Sequence, residues 1–229
     1  LPQWAYAAAG WGVTGPVVYA VHTDKRRHWD VATHSTADLP ELVAKRLRED
    51  KNPLLKQIAR CALEYRCFTA QNTFYGRDEG AIPASASCNA ACIGCISEQD
   101  EGLPPSSHER QKLPPSSAEM ADLGGGHLER APGRTMVSFG QGCEGEPLLR
   151  WREVAEAIRL MRARTPRGSI NMNTNGSLPD ALATLVDAGL DACRISLNSA
   201  SPDLYAAYYR PVGYRFEDVE RAMTIAKEK

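Results

Sequence analysis

Cys88, Cys92 and Cys95, in the run Ser87-Cys88-Asn89-Ala90-Ala91-Cys92-Ile93-Gly94-Cys95, constrain this chain more than any other stretch. The C-x3-C-x2-C spacing among small residues lets three thiols converge on one metal centre without distorting the backbone, so the stretch is expected to be a loop and not core. Iron–sulfur clusters are held by cysteine thiolates, and three protein ligands leave one iron of a cubane open to an exogenous ligand. An open iron is a place for chemistry. The same thiols would serve a structural zinc if Cys143 or a histidine supplied the fourth ligand, because closed zinc sites take four Cys or His donors. The spacing leaves both readings open.

Composition narrows the surroundings of that loop. Among 229 residues, 27 Lys and Arg face 28 Asp and Glu, so no global field attracts nucleic acid or anionic lipid. The expected substrate is an unidentified small molecule or another protein. Seven cysteines, three of them tightly grouped and none in obvious spaced pairs, argue for a reducing compartment, and the cytoplasm fits best. Trp4 to Val21 is apolar but interrupted by Gly10, Gly12, Gly15 and Pro16, so it is read as neither signal nor membrane anchor. The start at Leu1 and the stop inside a helical pattern suggest a fragment.

Residues 1–78 read as a small N-terminal α/β cap. Val17 to Val21 and Trp29 to Thr33 are strand-like runs joined by the charged turn Thr23 to Arg27, which suggests a hairpin. Asp38 with Glu41 forms a capping-box pattern ahead of the stripe Leu39, Leu42, Val43 and Leu47. Asn52-Pro53 opens a second helix with Leu55, Ile58, Ala59 and Ala62 inward. Cys61 and Cys67 are expected as packing, and His22, His28 and His34, six apart, as surface or strand-edge residues.

From 79 to 229 the pattern becomes regular. Ala81 to Ser87 reads as a first strand feeding the cysteine loop, and Glu98 to Ser117, rich in Pro, Ser and charge, as a solvated loop. The second Leu-Pro-Pro-Ser-Ser run caps a helix from Ala118 toward Leu128. Then strand Thr135 to Phe139, helix Trp151 to Arg164, strand Ser169 to Thr174, helix Leu178 to Ala188 and strand Ala192 to Leu197 alternate as a parallel sheet requires. Ser177 with Asp180 would cap the second of these helices and Gly189 end it, Ser201-Pro202 would open a third, and Phe216, Val219, Met223 and Ala226 would line a fourth.

Chemistry in parallel α/β barrels sits at the C-terminal strand ends, and here those ends carry Gly140 to Pro147, Asn173-Thr174-Asn175-Gly176 and Ile195 to Ser199. From about Ala81 onward these elements, in this order after the three cysteines, resemble the radical S-adenosylmethionine (radical SAM) superfamily, especially its molybdenum-cofactor-biosynthesis type. The resemblance implies a partial (βα)6 TIM-like barrel with about four βα units present. It implies a [4Fe-4S] cluster on Cys88, Cys92 and Cys95, whose reduced form cleaves S-adenosylmethionine to a 5′-deoxyadenosyl radical acting on the substrate. An electron donor such as flavodoxin or ferredoxin is implied with it. The alternative is a zinc- or cluster-stabilised binding module without radical chemistry.

Residue by residue, Gly145, Glu146 and Pro147 match the superfamily's Gly-Gly-Glu-Pro motif, with Glu144 in place of the first glycine. Their implied contact is the cofactor's amino group. Thr174 with Asn175, and Ser196 with Asn198, match loops that bind its carboxylate and ribose, Asn198 standing where Asp is frequent. Gly94 replaces the aromatic residue usual just before the third cysteine. Cys143, one residue before this turn, could face the same cavity as a hydrogen-atom relay or substrate contact, or simply fill space.

Overall fold

The computed structural model describes residues 8–19, 30–100, 102 and 105–229. Four parallel strands form its central sheet in chain order: β3 (Glu79–Ala81), β4 (Met136–Phe139), β5 (Ser169–Thr174) and β6 (Ala192–Ile195). Helices α4 (Ser117–Arg130), α5 (Trp151–Arg164) and α6 (Pro179–Ala188) make the crossovers, and α7 (Pro202–Tyr209) and α8 (Phe216–Glu228) follow β6. This is the α/β, partial TIM-like core expected from the alternation of periods two and 3.6.

Period two also divides the sheet faces. In Ser169–Thr174, Ile170 and Met172 are fully buried with Val137 and Phe139 in the core that α4, α5 and α6 cover. The intervening residues build a polar face: Ser138 Oγ donates to Glu79, Asn171 Nδ2 donates to Ser138 Oγ (3.1 Å), and Asn173 Nδ2 donates to the Phe139 carbonyl (3.3 Å). A sheet that buries one face in hydrocarbon and lines the other with side-chain amides and hydroxyls is ready to front a polar cavity.

Several expectations need correction. The first core strand is Glu79–Ala81 and not Ala81 to Ser87; one further ladder bond, Ile82 N–H to the Ser138 carbonyl (3.0 Å), ends it. Pro83 has no N–H to continue the ladder, and Ala84 and Ser85 give theirs to the Glu144 carboxylate (2.6 and 2.8 Å). The N-terminal hairpin pairs β1 (Ala8–Gly12) with β2 (Gly15–Tyr19), so Val17 and its neighbours pair upstream. The two-residue connection Val13-Thr14 closes it at far lower loop cost than the expected longer turn. Val31–Thr33 forms a 3-10 turn capped by Asp30, and residues 20–29, with His22, His28 and the charged turn, lie outside the described residues. His34 is buried and stacked on Phe68, with ring centroids 3.9 Å apart, and is not a surface residue.

Helices α1 (Leu39–Glu49), α2 (Leu54–Leu63) and α3 (Phe68–Tyr75) precede the sheet. Asp38 makes no side-chain cap, because its own backbone is already helical (φ −83°, ψ −12°) and cannot aim the carboxylate at the free N–H groups. Ser116 does cap α4, its Oγ accepting from Glu119 N–H (3.2 Å) while Glu119 accepts from Ser116 N–H (2.7 Å). Ser177 does not cap α6: its N–H is drawn inward to Asn175 Oδ1 (2.9 Å), leaving Leu178 at the helix entrance and Pro179 to start it. α2 and α3 send Leu55, Ile58, Cys61, Ala62 and Ala70 into the same core as Ile82, Val137 and Phe139. Among the described residues no helix is long and apolar enough to cross a membrane.

Candidate cofactor site

The cysteine loop leaves the sheet edge and is docked on the end of α7. Ala91 N–H donates to the Tyr209 carbonyl (3.1 Å), Ile93 N–H to the Tyr208 carbonyl (3.0 Å), and Val212 N–H to the Asn89 carbonyl (2.9 Å). Gly94 has a packing reason here: a Cβ at that position would come within 2.3 Å of the Tyr208 hydroxyl. So held, Cys88, Cys92 and Cys95 line one cavity of about 280 Å³, together with Arg110 and Arg210. All three thiols are free.

Their electrostatics suit a cationic guest. Burial, then the neighbouring Cys88 and Cys95 sulfurs, push the Cys92 thiol up to about 12, and burial also raises Cys88. At Cys95 burial works in the same direction but is outweighed by the Ser97 N–H and hydroxyl, the Glu98 N–H and Arg110, so its thiol is lowered. Three thiolates cannot coexist here unless a positive centre offsets their repulsion, which is the relation between a metal and its ligands. Three cysteine thiolates are a donor set that an iron–sulfur cluster takes, and that a structural zinc takes when a fourth Cys or His ligand is added.

A second cavity, of about 150 Å³, shares Cys88 and Cys92 with the first and is lined further by Gly145, Glu146, Thr174, Asn175 and Ser196. Its floor is a backbone pairing: Gly145 N–H donates to the Ser85 carbonyl (2.8 Å) and Glu146 N–H to the Ser87 carbonyl (2.9 Å). Only glycine allows this approach, since a Cβ on residue 145 would lie 2.0 Å from the Ser87 oxygen. Glu144 fastens the same crossing, its carboxylate accepting from four backbone N–H groups, those of Ala84, Ser85, Gly140 and Gln141. Glu146 accepts from Leu148 N–H (3.0 Å), Asn175 N–H (2.7 Å) and the Thr174 hydroxyl. Burial pushes both carboxyls up to about 7 against the pull of these donors.

The expected residues therefore divide. Cys88, Cys92, Cys95, Gly145, Glu146, Thr174, Asn175 and Ser196 come together, Ser196 joining through its N–H to the Thr174 carbonyl (2.8 Å). Pro147 is buried at the start of a 3-10 turn and Asn198 is exposed, and neither lines these cavities. Cys143 does not line them either: with Cys61 and Cys67 it lines a separate cavity of about 500 Å³ beside α2 and the start of α3. The Glu144 clamp pins the loop so that residue 143 points away from the cysteines.

Reading the sequence missed Asn89 and Arg110. Asn89 Oδ1 accepts from Asn175 Nδ2 (2.8 Å) and so ties the cysteine loop to the strand-end loop of β5; its place inside the cysteine run was the available signal. Arg110 lies in the stretch read as solvated, and nothing local marks it.

The family model for the Radical SAM superfamily matches residues 82–229. A probable GTP 3′,8-cyclase from Methanocaldococcus jannaschii is 29% identical over 161 residues, covering 67% of this chain and 46% of that protein. Among solved structures, the FeFe-hydrogenase maturase HydG from Carboxydothermus hydrogenoformans is similar with a TM-score of 0.46 and 16% identity over 82% of this chain and 46% of that one. The chain spans about half the length of these relatives, 46% of each.

Proposed function

This chain belongs to the radical SAM superfamily, and from that membership we propose that it binds a [4Fe-4S] cluster through Cys88, Cys92 and Cys95 and S-adenosylmethionine in the cavity beside them. The observation that supports the reading is that Cys88 and Cys92 line both cavities, so the thiol loop borders the Glu146–Thr174–Asn175 pocket. The chemistry such a cluster supplies when bound is one-electron reduction of the cofactor's sulfonium, giving a 5′-deoxyadenosyl radical for hydrogen abstraction from substrate.

The chain's own residues bind, orient and exclude water. Glu146, already gathered by Thr174 and Asn175, offers a buried carboxylate to an ammonium group. The exposed Ser196 offers its hydroxyl to carboxylate or ribose oxygens, and Thr174, whose proton is given to Glu146, would turn it to the ligand carboxylate only by releasing that bond. The Gly145 backbone lets a ligand approach the cysteine loop without a side chain between. The enzyme so described takes its electron from a flavodoxin- or ferredoxin-type donor and acts on an unassigned small molecule or polypeptide. A reducing cytoplasm suits its free thiols, and the N-terminal helices are a docking surface for a polypeptide substrate.

Anaerobic reconstitution tests this. Four irons and four sulfides per chain, an absorbance band at the blue edge of the visible, and a change in the reduced cluster's paramagnetic resonance on adding S-adenosylmethionine are expected. A colourless chain holding one zinc would refute the proposal.

A further inference from the structure

We propose that Arg110 tunes the reduction potential of the centre on Cys88, Cys92 and Cys95, through an N–H···S hydrogen bond to the Cys95 sulfur that stabilises the reduced form; the inference rests on the cluster reading above. Arg110 Nη2 stands 3.6 Å from Cys95 Sγ, its Nε donates to Ser97 Oγ (3.1 Å), and its Nη1 pairs with Glu98. The guanidinium lines the cavity of the three thiols, and its side chain is 11% exposed against 64% for Glu98. Ser97 Oγ in turn lies 3.6 Å from Cys95 Sγ and donates to the Glu144 carbonyl (3.4 Å), so the fork is held from both sides.

The physical consequence follows from charge. One-electron reduction, by an external flavodoxin- or ferredoxin-type donor, adds one negative charge to the cluster and its thiolates without making or breaking a bond. A hydrogen bond to a ligating sulfur, and a fixed positive charge beside it, favour the form that carries the extra electron and raise the potential. The guanidinium cannot lose its proton, and its planar fork serves three acceptors at once, which an ammonium cannot do in this geometry. Glu98, at the solvent end, opposes the effect weakly because water screens it. Each of the other two thiols lacks such a cationic donor among the described hydrogen bonds, so the influence falls on one corner of the site.

The test is an anaerobic redox titration, followed by visible absorbance and paramagnetic resonance, of the reconstituted wild type and of Arg110→Gln, Arg110→Lys and Glu98→Gln. At the wild-type midpoint the reduced-to-oxidised ratio of Arg110→Gln is expected to fall about tenfold, a shift of ~59 mV for one electron. Arg110→Lys should shift less in the same direction, and Glu98→Gln slightly in the opposite one. A fully loaded Arg110→Gln chain with the wild-type midpoint overturns the role of Arg110 while leaving the cluster reading intact. If Arg110→Gln loads poorly, wild-type midpoints in both Arg110→Lys and Glu98→Gln overturn it. A wild-type chain that takes up no iron overturns the cluster reading, and the inference with it.

Discussion

Glu144 is the residue on which the site's shape turns. It stands where a glycine was expected, and its carboxylate gathers four backbone N–H groups from two segments that would otherwise have no ladder between them. Glu144→Gln puts an amide N–H₂ against two of those donors. Two buried donors then lose their acceptor, and stability should fall by about 3 kcal/mol or more, read from the denaturant midpoint. Gly145→Ala forces the loop off the Ser87 carbonyl and should cost about 1–3 kcal/mol, with loss of S-adenosylmethionine binding in calorimetry even where iron loading survives. The cysteines separate cleanly by place: any one of Cys88→Ala, Cys92→Ala or Cys95→Ala should abolish cluster loading, while Cys61→Ala, within α2, and Cys67→Ala, just before α3, should leave iron content unchanged. Full iron in Cys92→Ala would refute the ligand assignment.

At the scale of elements, α4 and β3 meet through a histidine. His127 is buried on α4 with Nε2 3.2 Å from the Asp78 carbonyl, and its ring fills the space above Gly80. Burial, acting against that backbone contact, holds its ability to take a proton below the ordinary value of 6.5, as it does for His34 against Phe68. A folded-state value below the unfolded one means that the unfolded chain binds more protons in acid. The stability is thus fully present above about pH 6.5 and is lost as the pH falls through the lowered folded-state values. Burial raises Glu144 and Glu146 to about 7, which acts with the opposite sign over the same range, so the readout is the difference in denaturant midpoint between wild type and His127→Gln. The wild-type advantage should shrink as the pH falls from 8 to 5, and a pH-independent difference would remove His127 from the account.

Over the whole molecule, the helices before the sheet are not a detachable layer. Leu55 and Ile58 of α2 are fully buried in the core that also holds Ile82 and Val137. Ile58→Ala should therefore cost about 2–5 kcal/mol and shift a single cooperative transition followed by both far-ultraviolet dichroism and tryptophan fluorescence. Two transitions, with only the first moved, would show that the helices fold apart from the sheet. The same packing explains why Cys61 of α2 and Cys143 of the loop after β4, far apart in the chain, share a cavity that local reading could not foresee.

What the sequence determined by itself was contiguous or periodic. The three thiols lie in one short run, helix Trp151–Arg164 and strand Ser169–Thr174 keep unbroken periods of 3.6 and two, and Ser116 with Glu119 closes a cap within one turn. Each of these depends on neighbours a few residues away, so each is written in local order. Only the tertiary structure decided the partner of the Gly15–Tyr19 strand, the direction of Cys143, the fourfold use of Glu144 and the arrival of Arg110 at Cys95. A loop side chain reverses direction with one backbone dihedral, and a carboxylate or guanidinium chooses its partners from whatever the completed packing brings within about 3 Å. Those contacts exist only once the sheet, the cysteine loop and the end of α7 are in place.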